Sequence, residues 1–210
     1  MKELIDIIVN TDDAIKDLII RFGNTTYLIL FFVIFAETGL LIFPFLPGDG
    51  LLFSAGVVAS AKSLNIFLLI SLFFGAAVLG NVVNFAFGRL AGNRVIKFQN
   101  QQFQKYLLNA TKFYNLHGGK AVIISRFFPI LRTYVPFVAG IAGMRFDRYV
   151  LYSMIGASLW VPLFSLLGFF LGEIQWVQDN YGLVFLLLFL TVIIPAIVIF
   201  IKRMIKKRKL

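Results

Sequence analysis

Apolar residues in this chain come in long runs that short polar stretches separate. Three of these runs, residues 64–88, 149–171 and 182–201, contain no charged residue. A membrane-spanning α-helix needs roughly 20 such residues to cross a hydrocarbon core of about 30 Å. We therefore predict a transmembrane helix in each run, the last of them C-terminal.

Two further apolar segments are interrupted by helix-breaking residues. Residues 25–61 are too many for one span and carry FPFLPGDG in their middle, and residues 121–144 contain Pro129 and Pro136. Clusters of proline and glycine interrupt helices, and half of the second segment, about 12 residues, reaches only roughly 18 Å. Both segments are therefore predicted to be re-entrant helical hairpins, each with two short arms.

Basic residues lie beside the apolar runs, mainly in a loop at residues 89–120 and in a tail at residues 202–210. Such blocks stay on the cytoplasmic side of a membrane, and both do so only if the second hairpin returns to the side from which it entered. This predicts an N-terminus outside and a C-terminus in the cytoplasm. Residues 1–24 have apolar positions near helical spacing, which is typical of an amphipathic segment lying along the interface.

The two interrupted segments are similar to each other. FPFLPGDGLLFSAG aligns with FPILRTYVPFVAG with one gap, and each segment precedes an uninterrupted apolar run. Because the hairpins enter from opposite sides, the pattern predicts inverted repeats, although two short apolar strings also match by chance. The predicted fold is a single all-α integral membrane domain over residues 1–210. Each repeat is a re-entrant helical hairpin followed by a transmembrane helix, and one further C-terminal transmembrane helix completes the domain.

The composition indicates lipid as the solvent and excludes several classes of function. Hydrophobic residues make up 60% of the chain, charged residues 14%, and the mean hydropathy is +0.88, against roughly 45–50% and 25% in soluble domains. The net charge of +10 lies beside apolar runs, so no nucleic-acid partner is predicted. Since there is no cysteine and one histidine, His117, we predict no metal, no cofactor and no enzyme activity.

Four charged residues interrupt the broken segments: Glu37 and Asp49 in the first, Arg126 and Arg132 in the second. A charge deep in a membrane is costly unless it faces an opposite charge or a wet cavity. Arginine stays charged and its planar fork matches phosphate oxygens, so the two arginines are predicted to bind a lipid phosphate. The acids are predicted to couple protons or to gate, and Glu37 is the better proton carrier because burial favours its neutral form.

Each of these residues also has a structural interpretation. In one alternative, the four charges form ion pairs that only hold the hairpins together. In another, Asp49 lies in an exposed Pro-Gly-Asp-Gly turn. A third alternative, for Arg126, is that its side chain extends its charge to the membrane interface. Trp160 is interpreted as a packing residue, and Trp176 as an interfacial anchor.

A set of motifs is distributed over about residues 30–172. The motifs are the Glu37 segment with FLPGDG, Gly80 through Gly88-Arg89 and Gly92, Gly119-Lys120, SRFFPILR, Ala139-Gly140 with Met144, and Gly156 to Trp160 before Gly168 and Gly172. As a set they resemble the DedA family, bacterial membrane proteins that share the VTT domain with eukaryotic lipid scramblases.

The resemblance implies re-entrant hairpins that face each other and transport of lipid phosphates, with dependence on the proton-motive force in some members of the family. It implies above all the recycling of undecaprenyl phosphate across the bacterial inner membrane, with functional roles for Glu37, Asp49, Arg126 and Arg132. Two positions of this chain, Asn81 and Phe85, depart from the family pattern, in which an acid and a tyrosine are common. The role of that motif is therefore open.

The leading hypothesis is a flippase for a lipid phosphate in the bacterial inner membrane, with the lipid, protons and the bilayer as its partners. One alternative is a proton-coupled transporter or channel for small ions that serves pH or membrane-potential homeostasis. Another is a scramblase or flippase for a phospholipid such as phosphatidylethanolamine. The lipid, the direction and stoichiometry of transport, and the choice between a monomer and a homodimer stay open at this level.

Overall fold

The computed structural model describes residues 11–40, 48–91, 101–174, 176–177 and 184. Within these ranges the chain forms α-helices and short 3-10 turns, and no β-strand. The α-helices, in chain order, are α1 (Thr11–Phe22), α2 (Thr26–Gly39), α3 (Gly48–Ser60), α4 (Ile66–Ala91), α5 (Gln101–His117), α6 (Lys120–Ile124), α7 (Pro129–Ile141) and α8 (Phe146–Leu171). The all-α class predicted from the sequence is confirmed for this part of the chain.

Two of the predicted transmembrane segments are long helices. α4 and α8 each have 26 residues and are apolar enough to cross a membrane, where the sequence predicted spans at 64–88 and 149–171. α8 continues through Pro162 without interruption. The third predicted span, at 182–201, lies outside the described residues except for Val184, and the basic tail at 202–210 lies outside them altogether.

A third helical run of sufficient length and apolar character extends over Ala14–Gly39. It passes through α1, a 3-10 turn at Gly23–Thr25, and α2, whereas the sequence predicted a division at residue 25 between an interfacial segment and a hairpin arm. Gly23 has a φ of 53°, which glycine adopts without strain, so the helix resumes after one tighter turn. α1 is amphipathic, with Ile15 buried and the ion pair of Arg21 with Asp17 exposed.

The chain reverses direction in the first interrupted segment. α2 ends at Gly39, Leu40 is extended with φ −101° and ψ 125°, and residues 41–47 lie outside the described residues. α3 then begins beside the end of α2, because the backbone N–H of Gly48 donates a hydrogen bond of 3.2 Å to Oε1 of Glu37. From there α3 runs back to pack against α1.

The second interrupted segment also consists of two helical arms, but they are unequal. The first arm is α6 followed by a 3-10 turn at Ser125–Phe127, and it ends at Phe128, whose backbone is extended with φ −125° and ψ 113°. Pro129 then begins α7, where its missing N–H has no cost because the first turn of a helix has no partner for it. The break predicted at Pro129 is therefore confirmed.

The second break predicted in this segment, at Pro136, is wrong, because α7 runs through that residue for 13 residues in all. Proline is tolerated inside membrane helices where neighbouring groups satisfy the freed backbone carbonyls. Pro136 has no N–H to donate to the carbonyl of Arg132, four residues earlier, and the side chain of Asn84 in α4 donates a hydrogen bond of 2.9 Å to the adjacent carbonyl, that of Thr133. The neighbouring helix therefore supports α7 where its own ladder is weakened.

The two halves of the described fold pack in a reciprocal pattern. α3 packs against α8 and α7 packs against α4, so the second helix of each interrupted segment contacts the long helix that follows the other segment. Glycine permits both crossings, because a Cβ atom added at any of four positions would overlap a backbone atom of the opposing helix. The four contacts are Gly56 with Ser165, Gly168 with Phe53, Gly140 with Phe85, and Gly88 with Phe137. The aligned strings FSAG (residues 53–56) and FVAG (residues 137–140) occupy equivalent places. In each string, the first and the last residue both contact the opposing long helix.

The close approach of α3 and α8 makes a testable difference between two helical glycines. Gly168→Ala places a Cβ against the carbonyl of Phe53, so the helices must separate, at an expected cost of about 1–3 kcal/mol. Gly75→Ala meets only the ring of Phe31 at 3.9 Å and is expected to gain up to about 1 kcal/mol of helix propensity. Thermal unfolding in detergent checks this contrast, and equal shifts in the same direction for both variants would contradict it.

Candidate functional site

The buried centre of the fold contains three charged side chains in direct contact. Nη1 of Arg132 lies 2.5 Å from Oδ1 of Asp49, and Nη2 of Arg132 bonds Oε1 of Glu37. Glu37 and Asp49 are 3% and 7% exposed. One guanidinium from α7 therefore bridges carboxylates from α2 and α3, and the predicted convergence of opposite charges from the two broken segments is present. We call these residues the ion-pair cluster.

The backbone around the ion-pair cluster explains how the two acids are positioned. Glu37 shares the buried face of α2 with Leu30 and Ile34, so helical periodicity points it inward. Gly48 leaves the room that the carboxylate of Glu37 occupies, because a Cβ there would overlap its Oε2 atom. Asp49 lies in the first turn of α3, where the helix dipole favours a negative charge. The interpretation of Asp49 as part of an exposed turn is therefore not supported.

Arg126 is buried as well, but it has a different set of neighbours. It is 4% exposed, and its Nη2 donates to the carbonyl oxygen and to Oγ of Ser153 in α8, at 3.2 and 3.3 Å. Gly156 makes room for it, since a Cβ there would lie 2.8 Å from Cδ of Arg126. This burial does not support the interpretation of Arg126 as an arginine that extends its charge to the interface.

The guanidinium of Arg126 has unused bonding capacity. Among the residues that the structure describes, no carboxylate lies within ion-pair distance of Arg126, and its Nε atom is buried without a hydrogen-bond partner. A buried cation that is held only by neutral oxygens is costly. Arg126 is therefore the group in this site that is best able to bind an incoming anion.

Trp160 contacts both arginines and one of the acids. It is 1% exposed in the apolar core, which agrees with the packing role predicted for it. Its Nε1 also donates a hydrogen bond of 2.8 Å to Oδ1 of Asp49, and its ring centroid lies 5.3 Å from the guanidinium carbon of Arg132 and 5.9 Å from that of Arg126. Sequence reasoning missed these contacts, since one tryptophan in an apolar run gives no sign of the partner of its N–H.

Two asparagines of α4 connect the halves of the site. Nδ2 of Asn84 donates to the carbonyls of Thr38 at 3.2 Å and Thr133 at 2.9 Å, and so links the end of α2 to α7. Nδ2 of Asn81 donates to Oγ of Ser153 at 3.3 Å, the oxygen that also accepts from Arg126. The signal for these roles was present in the sequence as two amides one helical turn apart within a predicted span, where polar groups are expensive.

Phe85, which departs from the family pattern, packs against an aromatic residue of α8. The Phe85 ring stacks on that of Tyr149, with centroids 4.1 Å apart and planes inclined by 19°. Tyr149 donates its hydroxyl to the backbone carbonyl of Asn81 at 2.7 Å. Phe85 therefore packs against the tyrosine that bonds the backbone of Asn81, and it is not part of the ion-pair cluster.

Asn84→Ala is expected to destabilise the protein by about 2–4 kcal/mol, because it leaves two buried backbone carbonyls without this donor. The matched control is Asn109→Ala on the exposed side of α5, where the same change removes no buried contact and favours the helix. Chemical or thermal unfolding in detergent measures both variants. A loss for Asn84→Ala no greater than that for Asn109→Ala would show that the link between α2 and α7 is weak.

A small cavity adjoins the charged residues. It has a volume of about 10 Å³ and is lined by Glu37, Thr38, Asn81, Ser125, Arg126, Arg132, Thr133 and Trp160. That is close to the space that one water molecule requires, and a phosphate group is considerably larger. This volume therefore does not accommodate an anion of the size of phosphate. Within the described ranges, no cluster of three or more His, Asp or Glu side chains is arranged to hold a metal ion.

Taken together, the long apolar helices, the two interrupted helical segments and the buried ion-pair cluster define an α-helical integral membrane protein with a polar site inside its apolar core. The VTT domain profile matches residues 46–170, a range that contains Asp49, Arg126, Arg132 and Trp160. The chain belongs to the DedA family of VTT-domain membrane proteins.

Several relatives show the extent of this similarity. Protein DedA of Escherichia coli (strain K12) is 42% identical over 199 residues, which cover 93% of this chain and 91% of the relative. Inner membrane protein YqjA of the same strain is 34% identical over 149 residues, or 70% of this chain and 68% of the relative. An uncharacterized membrane protein of Mycobacterium leprae, ML0287, is 34% identical over 168 residues, or 79% and 75%. No solved structure matches the chain.

Proposed function

We propose that this protein is a transporter of lipid phosphates in the bacterial inner membrane, a flippase with undecaprenyl phosphate as its substrate. The observation that carries the proposal is the buried guanidinium of Arg126, which lacks a carboxylate partner within the described residues and keeps a free Nε donor beside Arg132. Arg126 and Arg132 bind the phosphate, while the lipid tails remain in the bilayer. The relatives named as inner membrane proteins support the location.

Charge balance supports a role for protons in the transport cycle. The site contains two guanidinium groups and two carboxylates, so it is neutral when all four are ionised. A phosphate monoester carries about −1.5 to −2 charges at neutral pH, and bringing it among these groups without compensation is costly. Protonation of Glu37 offsets part of this added charge and removes one of the two carboxylates that hold Arg132. Uptake of protons and binding of the phosphate therefore favour each other.

The reciprocal packing of the fold supports a mechanism with two inverted repeats. If each hairpin is re-entrant and the two enter from opposite faces, the ion-pair cluster lies near the middle of the membrane, where transporters built from inverted repeats bind their substrates. The cavity beside the cluster has room for about one water molecule, so binding of a lipid phosphate requires the site to widen. Movement of one hairpin opens the site to one face of the membrane. The protein is oriented with its N-terminus outside and its C-terminus in the cytoplasm.

Reconstitution into liposomes tests the proposal directly. The purified protein is expected to move undecaprenyl phosphate between leaflets, faster when a proton gradient is imposed than when it is dissipated. In cells that lack all related carriers, the chain is expected to lower the surface exposure of undecaprenyl phosphate and to restore growth. Failure to move the lipid in either gradient direction, by protein that is folded and inserted, would reject the proposal.

A proton-coupled transporter of small ions is the second candidate, and the small size of the cavity favours it. Such a protein passes protons or cations in liposomes that contain no polyprenyl phosphate, and Glu37→Gln abolishes the flux. A scramblase is distinguished in the same vesicles by movement of labelled phosphatidylethanolamine without a gradient.

A further inference from the structure

We infer that Trp160 is a positioning residue. It stabilises Asp49 and Arg132 after the two have separated, so that Arg132 can leave Asp49 and bind a phosphate group. This inference rests on the proposed function and adds to it a residue on a long helix rather than on a hairpin. Trp160 belongs to α8, whereas Asp49 belongs to α3 and Arg132 to α7.

The first support is the shared acceptor. Oδ1 of Asp49 accepts from Nη1 of Arg132 at 2.5 Å and from Nε1 of Trp160 at 2.8 Å. When the guanidinium moves to a phosphate, a carboxylate without any donor would remain buried, which is strongly unfavourable. The indole N–H keeps one hydrogen bond on Asp49 through that step. The energetic cost of separating the ion pair is thereby reduced.

The second support is the face of the indole ring. Both guanidinium carbons lie within 6 Å of its centroid, at 5.3 Å for Arg132 and 5.9 Å for Arg126, a distance at which a cation is attracted to the π-system. Trp160 contacts the carboxylate of Asp49 through the edge of its ring and the guanidinium groups of both arginines through the face of the ring. It therefore offers a partner to each charge after the two have separated.

The third support is rigidity. Trp160 is 1% exposed, packs edge-on against Phe164 at 6.2 Å, and lies in a helix that α3 and α4 both contact. Its N–H therefore keeps its position while a hairpin moves. A surface side chain or a bound water would not provide a donor at a fixed place.

The experiment uses the full-length protein in nanodiscs, with Trp176→Phe as the parent. The chain has two tryptophans, and Trp176 is 57% exposed, so the parent carries Trp160 as its single indole. Dihexanoyl phosphatidic acid is the probe of phosphate binding, and the resonance of the ¹⁵N-labelled indole N–H reports on Trp160. Trp160→Phe removes the N–H and retains an aromatic face, and Asp49→Asn removes the charge of its acceptor.

We expect Trp160→Phe to bind the probe about tenfold more weakly than the parent, in keeping with the loss of one hydrogen bond to a charged group. In the Asp49→Asn background the same change is expected to have less than a twofold effect, because the N–H acts through the carboxylate. The indole resonance of the parent is expected to shift on Asp49→Asn and again on addition of the probe. A role in packing alone would weaken binding equally in both backgrounds.

The outcomes separate this inference from the proposed function. Equal affinity of the parent and Trp160→Phe, an equal loss with and without Asp49→Asn, or an indole resonance that Asp49→Asn does not move, would each overturn the inference and leave the transporter proposal standing. A parent that does not bind the probe at all would reject the proposed function, and the inference with it.

Discussion

Arg126→Met is expected to abolish transport of the lipid phosphate without destabilising the protein. The variant removes charge-assisted hydrogen bonds to the phosphate, so we expect a loss of at least about a hundredfold in transport. Stability is expected to change by no more than about 1 kcal/mol or to increase, because no carboxylate within the described residues pairs with Arg126 and an apolar replacement of a buried charge is often neutral or favourable. Reconstituted transport and thermal unfolding measure the two quantities.

The matched control for this variant is Arg148→Met, the same substitution at an exposed arginine of α8. It is expected to leave transport within twofold of the natural protein. Full transport by Arg126→Met would remove the phosphate-binding role of this residue. A large loss of stability would instead favour the interpretation that Arg126 only holds α8 to the second interrupted segment through Ser153.

Arg132→Met, unlike Arg126→Met, is expected to destabilise the protein. We expect a loss of about 3–5 kcal/mol in the free energy of unfolding at neutral pH. It leaves Glu37 and Asp49 buried without their shared cation. The loss is expected to shrink as the pH falls, because protonated carboxyl groups do not need a counter-charge. Thermal unfolding of both proteins across a range of pH values measures this difference.

A combined variant provides the control. Arg132→Met together with Glu37→Gln and Asp49→Asn has no net charge left in the ion-pair cluster, so it is expected to recover most of the stability while transport stays absent. If Arg132→Met is as stable as the natural protein at neutral pH, the carboxylates do not depend on this arginine. If the combined variant transports, the site does not work through these charges.

Much of the fold could be predicted from run lengths, because lipid requires each spanning helix to be long and apolar. The helices α4 and α8 follow directly from this requirement, and the end of α2, like the break at Phe128 before Pro129, follows from local sequence. The uninterrupted path of α7 through Pro136 could not be predicted, since the helix is supported there by contacts from a distant part of the sequence, such as the hydrogen bond from Asn84 to the carbonyl of Thr133.

The candidate site was predicted in part, for electrostatic reasons. Opposite charges in two apolar segments must find one another, and Glu37, Asp49 and Arg132 do so. The different environment of Arg126 could not be foreseen, because nothing in SRFFPILR tells which of its two arginines meets the acids. The indole N–H of Trp160 has the same difficulty, as its partner lies on another helix.

The glycine crossings also bear on how the protein is made. α3 finds its main packing partner in α8, which is synthesised last among the described helices. Folding that depends on contacts so distant in sequence is slow. The first half of the described fold also cannot complete its tertiary structure until α8 has been synthesised. Each half thus serves as the other's scaffold, and neither is expected to persist as an independent folding unit.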